Sequence, residues 1–174
     1  VAKAHKAHIM VAVLGEEEKL LERGKLFTKA MAVCCKQKYA TGVYTSGVVF
    51  EPRFYEGLAD MLKEDELPIF NWVWFGLYRS EGGLNGYTYG MDVFGKEEME
   101  VLNTDAEPEE LRDFLASLAS YVLACDVTLQ DGETIGFSAD DKHTITRSPG
   151  VSLPEEQMTL KIGYEPIKGD PEDD

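Results

Sequence analysis

Several classes of protein are excluded by what the sequence lacks. Among its 174 residues, the longest apolar runs are residues 9–14 and 30–35, far short of the roughly 20 residues that a membrane-spanning helix needs. No apolar signal core or small-residue cleavage site marks the chain for export. We therefore expect a cytoplasmic protein that does not bind membranes.

Cysteine is also scarce. Cys34 and Cys35 are adjacent, Cys125 is far along the chain, and no Asn-x-Ser/Thr sequon occurs. An odd number of cysteines with this spacing does not form a disulfide framework, which favours a reducing compartment. Because the adjacent pair lies on or beside the apolar face of a predicted helix, we interpret both as small buried hydrophobic residues rather than reactive or metal-binding thiols.

Signature motifs of enzymes are missing. The chain has no Gly-x-Gly-x-x-Gly, phosphate-binding loop, His-Glu-x-x-His, Gly-x-Ser-x-Gly or Cys-x-x-Cys sequence, so we predict no cofactor. His5 and His8 could ligate a metal on a helix, but His8 opens a strand pattern, where a spacing of three puts the rings on opposite faces.

Acidic residues offer two further candidates. His143 follows Asp140 and Asp141, an arrangement compatible with acid–base chemistry, although a polar loop that enters an edge strand explains all three residues. Glu98 and Glu100 alternate with apolar residues, so we expect them on the solvated face of a strand rather than as a catalytic pair.

The net charge of −15 is unevenly distributed. Residues 1–50 hold 8 basic and 4 acidic side chains, whereas residues 105–174 hold 5 basic and 17 acidic ones. Such a field repels phosphate, which excludes nucleic acid and anionic membranes as partners. It favours either plain solubility or a basic protein partner.

Hydrophobic periodicity predicts the first half of the fold. Residues 8–14 have the profile of a buried strand and are followed by an amphipathic helix over residues 16–38. Residues 41–50 read as strand interrupted at Ser46-Gly47, and a second helix begins at Pro52. Residues 69–79 carry apolar side chains on both faces, which predicts a central strand.

The second half reads as strands around one further helix. A turn at Gly82-Gly83 leads into alternating strands, and Pro108 opens an amphipathic helix. Asp131-Gly132 predicts a hairpin, and residues 143–147 and 158–164 alternate in strand fashion.

These elements predict an α+β fold in two layers, with about three helices chiefly on one face of a mixed, mostly antiparallel sheet. We expect one domain over residues 5–164 and an acidic flexible tail over residues 165–174, because the tail is too polar to pack.

Aromatic residues provide the only predicted docking site. Trp72, Trp74, Tyr78, Tyr87 and Tyr89 fall on two strands that the Gly-Gly turn makes neighbours. If a helix covers these rings they belong to the core, whereas an open sheet face would be a partner interface.

Five ordered motifs carry a resemblance to a known family. They are His5-Lys6-Ala7-His8-Ile9-Met10-Val11, Gly42-Val43-Tyr44, Tyr89-Gly90-Met91, Phe94-Gly95 and Asp131-Gly132-Glu133-Thr134-Ile135-Gly136-Phe137. With them, residues 5–164 resemble the bacterial domain of unknown function 4261. That family has no assigned reaction, cofactor or catalytic residue, so the resemblance implies a fold and a bacterial cytoplasm only.

Two functions are compatible with these patterns. One is a non-catalytic protein-binding module, which includes immunity-like and adaptor-like proteins. The alternative is an enzyme with a site near Tyr44, Ser46 and Arg53, where a helix N-terminus can meet an anion. The candidate surface comprises Tyr44, Ser46, Arg53, Trp72, Trp74, Tyr87 and Tyr89. A subunit role in a larger assembly is a third possibility.

Overall fold

A computed structural model describes residues 5–137 and 142–165 of the chain. The helices of this part are α1 (Leu20–Cys35), α2 (Pro52–Ala59), α3 (Ile69–Trp72) and α4 (Pro108–Ala124). Short 3-10 turns lie at Glu17–Lys19, Asp60–Glu64 and Asp92–Phe94. No helix among the described residues is long and apolar enough to cross a membrane.

The strands form two sheets. They are β1 (Val43–Thr45), β2 (Val48–Phe50), β3 (Trp74–Ser80), β4 (Gly83–Tyr89), β5 (Met99–Thr104), β6 (Thr134–Ile135), β7 (His143–Pro149) and β8 (Met158–Ile162). β1 and β2 pair alone, and the larger sheet has the order β3-β4-β5-β8-β7-β6. β5 and β8 are parallel, whereas β4–β5, β7–β8 and β6–β7 are antiparallel. The predicted α+β class with a mixed sheet is confirmed.

Contacts divide the chain into two compact units. Among the described residues, the first contains those up to Trp74 with Tyr89–Lys96 and Ala119–Val127. The second contains Phe75–Thr88, Glu97–Leu118 and the described residues after Val127. A single domain over residues 5–164 stays a prediction.

The core of the first unit joins α1, α2 and the β1–β2 hairpin. Cys35, Val43 and Tyr55 are buried together, with Met31 and Phe50 packed against them. The Phe50 and Tyr55 rings meet edge to face at 5.6 Å between centroids. The apolar face predicted for the first helix therefore packs against residues that follow it closely in the chain.

The core of the second unit lies between one sheet face and α4. A Cβ on Gly86 of β4 would lie 2.8 Å from Leu115 Cδ1 and 3.0 Å from Leu111 Cδ2, so the helix approaches the strand where a side chain is absent. Buried apolar residues of β5, β7 and β8 share this core: Met99, Val101, Ile145, Leu160 and Ile162.

The predicted strand over residues 8–14 is wrong. This segment forms neither helix nor strand, and Ile9, Met10 and Leu14 are 80%, 85% and 90% exposed. A short apolar run favours an extended conformation, but a β-strand also requires a neighbouring strand with which its backbone forms hydrogen bonds. None of the described strands pairs with this segment.

The predicted central strand over residues 69–79 begins five residues late and lies at the edge. Residues 69–72 form one helical turn, in which Val73 N donates to Ile69 O at 2.8 Å. The Asn71 side-chain amide also donates to Tyr55 O at 3.1 Å. The turn is thus held by a contact remote in sequence, and β3 is an edge strand of the sheet that the described residues form.

The hairpin predicted at Asp131-Gly132 is also wrong in its partners. Glu133 N does donate to Gln130 O, which closes a turn. However, Thr134 and Ile135 pair with β7, at Thr144 and His143, and residues 127–130 form no strand. By contrast, the break at Ser46-Gly47 and the helix opening at Pro108 are confirmed.

We predict that Gly90→Ala destabilises the fold. Gly90 has φ +118°, and a Cβ there would lie 2.5 Å from the backbone oxygen of Trp72. We expect a loss of about 2 kcal/mol in the free energy of unfolding, measured by denaturant titration.

Gly57→Ala is the matched control. Gly57 lies inside α2, and a Cβ there has nothing within 4 Å. The control is expected to gain about 0.5–1 kcal/mol through helix propensity. A Gly90→Ala protein as stable as the wild type would contradict the packing described here.

Candidate functional site

The turn between β1 and β2 anchors the candidate surface. Ser46 and Gly47 have φ of 49° and 73°, the left-handed values that favour a tight two-residue hairpin. The Ser46 hydroxyl donates to Trp72 O at 3.1 Å. A Cβ on Gly47 would lie 3.8 Å from the Tyr89 ring. The turn therefore packs against two of the aromatic residues singled out from the sequence.

Trp72 belongs to the core of the first unit. It is only 4% exposed, and its indole N–H donates to Thr28 Oγ1 at 2.7 Å. Its ring lies 4.9 Å from that of Phe94, and the missing side chain of Gly24 leaves room for Phe94. Because Trp72 lies on a helical turn instead of a strand, it does not share a face with Trp74.

Three of the aromatic residues of the predicted candidate surface are exposed in this unit. Tyr44, Trp74 and Tyr89 are 73%, 46% and 49% exposed. A Cβ on Gly90 would lie 3.6 Å from Val73 Cα, so these residues are adjacent and their neighbours Trp74 and Tyr89 lie side by side where β3 begins and β4 ends. We call Tyr44, Trp74 and Tyr89 the aromatic surface.

Tyr87 has a different setting, in the second unit. Its ring is partly buried and covers Gly76, where any Cβ would overlap it. On the same strand as Gly76, the Tyr78 hydroxyl shares a hydrogen bond of 3.2 Å with Ser152. Tyr87 therefore fills space on its sheet, in contrast to the exposed rings of the first unit.

Arg53 lines a depression that Tyr44 and Ser46 do not line. This depression is shallow, with a volume of about 460 Å³, and lies between the end of α1 and the start of α2. Lys36, on the rim, pairs with Glu56 at 3.5 Å. The three residues of the enzyme hypothesis do not converge on this cavity, and that hypothesis stays a prediction.

Cys35 also lines this depression but has the character of a buried thiol. Burial raises its pKa, and the neighbouring Cys34 and Glu56 raise it further. A thiol with a raised pKa is mostly protonated at neutral pH and is a poor nucleophile. Its setting agrees with the interpretation as a small buried hydrophobic residue.

The prediction that Glu98 and Glu100 face solvent is wrong. Their exposures are 1% and 0%. The Thr88 hydroxyl donates to Glu98 Oε2 at 2.7 Å and accepts from Met99 N at 2.8 Å. Period-two alternation distinguishes two strand faces, but it does not reveal that the polar face is covered as well.

Glu100 is held by a set of donors from the chain between β7 and β8. The backbone N–H groups of residues 151–153 donate to it at 2.8–3.2 Å, and Lys161 Nζ lies 2.9 Å away. Burial would raise the pKa of Glu100, but these donors outweigh burial and hold the pKa below its usual 4.5. This carboxylate therefore fixes a loop and leaves little capacity for a ligand.

His143 is a packed residue instead of part of an edge-strand loop. It is 6% exposed, its Nδ1 lies 2.9 Å from Gly163 O, and its ring lies 4.7 Å from that of Phe114. β7, which it opens, lies between β8 and β6. Asp140 and Asp141 lie outside the described residues, as does the predicted tail from residue 166.

The described parts of the chain hold no group of three or more His, Cys, Asp or Glu side chains placed to bind a metal ion. His5 and His8 are both exposed.

The described residues form an α+β protein in which a two-residue hairpin turn lies against the buried Trp72 and the exposed Tyr89. Residues 87–163, from β4 to just after β8, match the model of a family described as a domain of unknown function (DUF4261). The resemblance expected over residues 5–164 is thus confirmed for that part of the chain. None of the curated proteins and none of the solved structures matches the chain.

We predict that Glu100→Gln strongly destabilises the protein at neutral pH. The change leaves Lys161 buried without its counter-charge, which costs about 3 kcal/mol in the free energy of unfolding. Glu97→Gln, which breaks the exposed pair with Arg147, is the control with a much smaller expected loss. Denaturant titrations of both variants measure this difference.

The same titrations in acid test the ionisation of Glu100. Because its pKa is lower in the folded state, the carboxylate contributes stability above the unfolded-state pKa and loses it as the pH falls through the folded-state pKa. Stability of the wild type should therefore fall more steeply than that of Glu100→Gln between neutral pH and about pH 3. Parallel pH profiles would contradict the role given to Glu100.

Proposed function

We propose that this chain is a non-catalytic protein-binding module and that the aromatic surface is where its partner docks. The observation that carries the proposal is the contrast between neighbouring rings. Trp72 is fully packed, whereas Tyr44, Trp74 and Tyr89 present large apolar areas to solvent within the same unit. Tyr and Trp supply much of the binding energy at protein interfaces because they combine a rigid apolar body with a polar atom.

The surface is built on fixed backbone, which favours binding. The Ser46 hydrogen bond to Trp72 O and the close approach of Gly90 to the same carbonyl hold the hairpin turn and the strand ends in place. Side chains on a preorganised support lose less conformational entropy when a partner docks. Val49, opposite Tyr44 on β2, adds exposed apolar area.

A basic protein is the partner that fits this chemistry. Lys and Arg side chains stack on the faces of Trp and Tyr rings, and the chain as a whole carries a net charge of −15. Exposed carboxylates follow closely in sequence, with Glu51 after β2 and Asp92 after β4. The same charge disfavours nucleic acid and anionic membranes as partners.

Immunity-like and adaptor-like proteins are examples of such a module. The bacterial cytoplasm is the compartment we propose for it. The three cysteines, all free thiols, are compatible with that compartment.

The proposal predicts that the aromatic surface decides partner capture. Immobilised wild-type chain is incubated with bacterial lysate at low and high salt, and retained proteins are identified by mass spectrometry. We expect a basic protein that is retained at low salt and released at high salt. Replacement of Tyr44, Trp74 and Tyr89 by Ala should abolish its retention.

Tyr39→Ala is the matched control, because Tyr39 is even more exposed than these three residues and lies in the same unit but outside the aromatic surface. It should retain the partner as the wild type does, and thermal melts should confirm that every variant is folded. Equal retention by the triple variant, or no retained protein at all, would contradict the proposal.

A further inference from the structure

Residues 9–14 are an apolar segment that the described fold does not pair. Val11 and Val13 are partly buried, whereas Met10, Ala12 and Leu14 between and beside them are exposed. This alternation with period two is typical of an extended chain that lies with one face against a surface. The exposed side chains therefore share the outer side of the segment.

The backbone of the segment has the same asymmetry. Arg23 Nη2 on α1 donates to Val13 O at 3.3 Å, so the polar groups of Val13 face the helix. In an extended chain the groups of the adjacent residues, Ala12 and Leu14, point the opposite way. No described residue accepts a hydrogen bond from a backbone N–H of residues 9–14. An edge of this kind is a template for another strand.

We propose that residues 9–14 pair with the same segment of a second copy of this chain, as an antiparallel two-stranded ribbon. In a two-fold symmetric ribbon one residue must lie opposite itself. Centring on Ala12 places Met10 opposite Leu14 and uses the backbone edge that faces away from Arg23. The exposed apolar side chains of the two copies then cover one another.

Charges on either side of the segment identify the second copy as the partner. The segment itself is uncharged, Lys6 and His8 precede it, and Glu16 and Glu18 follow it. The antiparallel register sets His8 opposite Glu16, the last extended residue before the 3-10 turn at Glu17–Lys19. Glu16 already pairs with Lys19 at 2.8 Å, and Lys6 of each copy comes toward the start of this turn in the other copy, where Glu18 lies. A parallel register would bring like charges together. The pattern is thus complementary to itself in one orientation.

The size of the contact makes the expected dimer weak. Two six-residue strands bury less than the roughly 1,200 Å² at which stable interfaces begin. The rest of the two copies also repel, since each carries a net charge of −15. We therefore expect a reversible monomer–dimer equilibrium that depends on protein concentration.

Sedimentation equilibrium of the whole chain, from low micromolar to near-millimolar protein, tests the ribbon. The mass should rise toward that of a dimer, and Ala12→Pro, which removes the central N–H, should raise the dissociation constant about tenfold or more. A wild type that remains monomeric, or an Ala12→Pro protein that associates equally well, would overturn the proposal.

Charge exchange tests the register. Lys6→Glu and Glu18→Lys should each weaken self-association, because each brings like charges together across the ribbon. An equimolar mixture of the two should associate more tightly than either variant alone, since both ion pairs re-form in the mixed dimer. Lys38→Glu, an exposed site away from the segment, gives the control for net charge. A mixture no tighter than the single variants would overturn the proposed register.

Discussion

The buried Trp72 is the residue on which the geometry of the first unit depends. Its indole N–H donates a hydrogen bond to Thr28 on α1, and its carbonyl oxygen accepts one from the Ser46 hydroxyl. The carbonyl also approaches Gly90 so closely that no side chain is possible there. One residue thereby joins a helix, a hairpin turn and the end of a strand. The helical turn ends at this residue, and Trp74, two positions later, starts β3 with its side chain 46% exposed.

Local sequence signals predicted the elements whose stabilising contacts are local. The amphipathic pattern from Pro108 gave α4, and Ser46-Gly47 supplies the left-handed residues that a tight hairpin requires. The turn over residues 69–72 could not be predicted, because a side chain of Asn71 bonded to Tyr55 helps to hold it. The hydrophobic pattern of residues 69–72 is compatible with either a strand or a helical turn. A hydrogen bond to a residue remote in sequence favours the helical turn.

The candidate site shows the same limit. Sequence placed Trp72 and Trp74 together on one strand, yet their side chains have opposite environments. It also assigned Glu100 to solvent, although the carboxylate is enclosed by backbone donors. Lys161 could have indicated that Glu100 is buried, because Lys161 lies between the apolar Leu160 and Ile162 just as Glu100 lies between apolar neighbours. Opposite charges inside two apolar strands favour a buried pair over two solvated faces.

The proposed function rests on two features of the described residues, one polar and one apolar. The buried Glu100 carboxylate accepts hydrogen bonds from its own chain, whereas the aromatic surface is exposed on a support held by hydrogen bonds. Fluorescence quenching of the complex with a captured partner tests this account most directly, because acrylamide reaches Trp74 but not Trp72. The account predicts that the quenchable emission of the free protein is lost when the partner binds. Unchanged quenching in a complex known to be fully formed would contradict it.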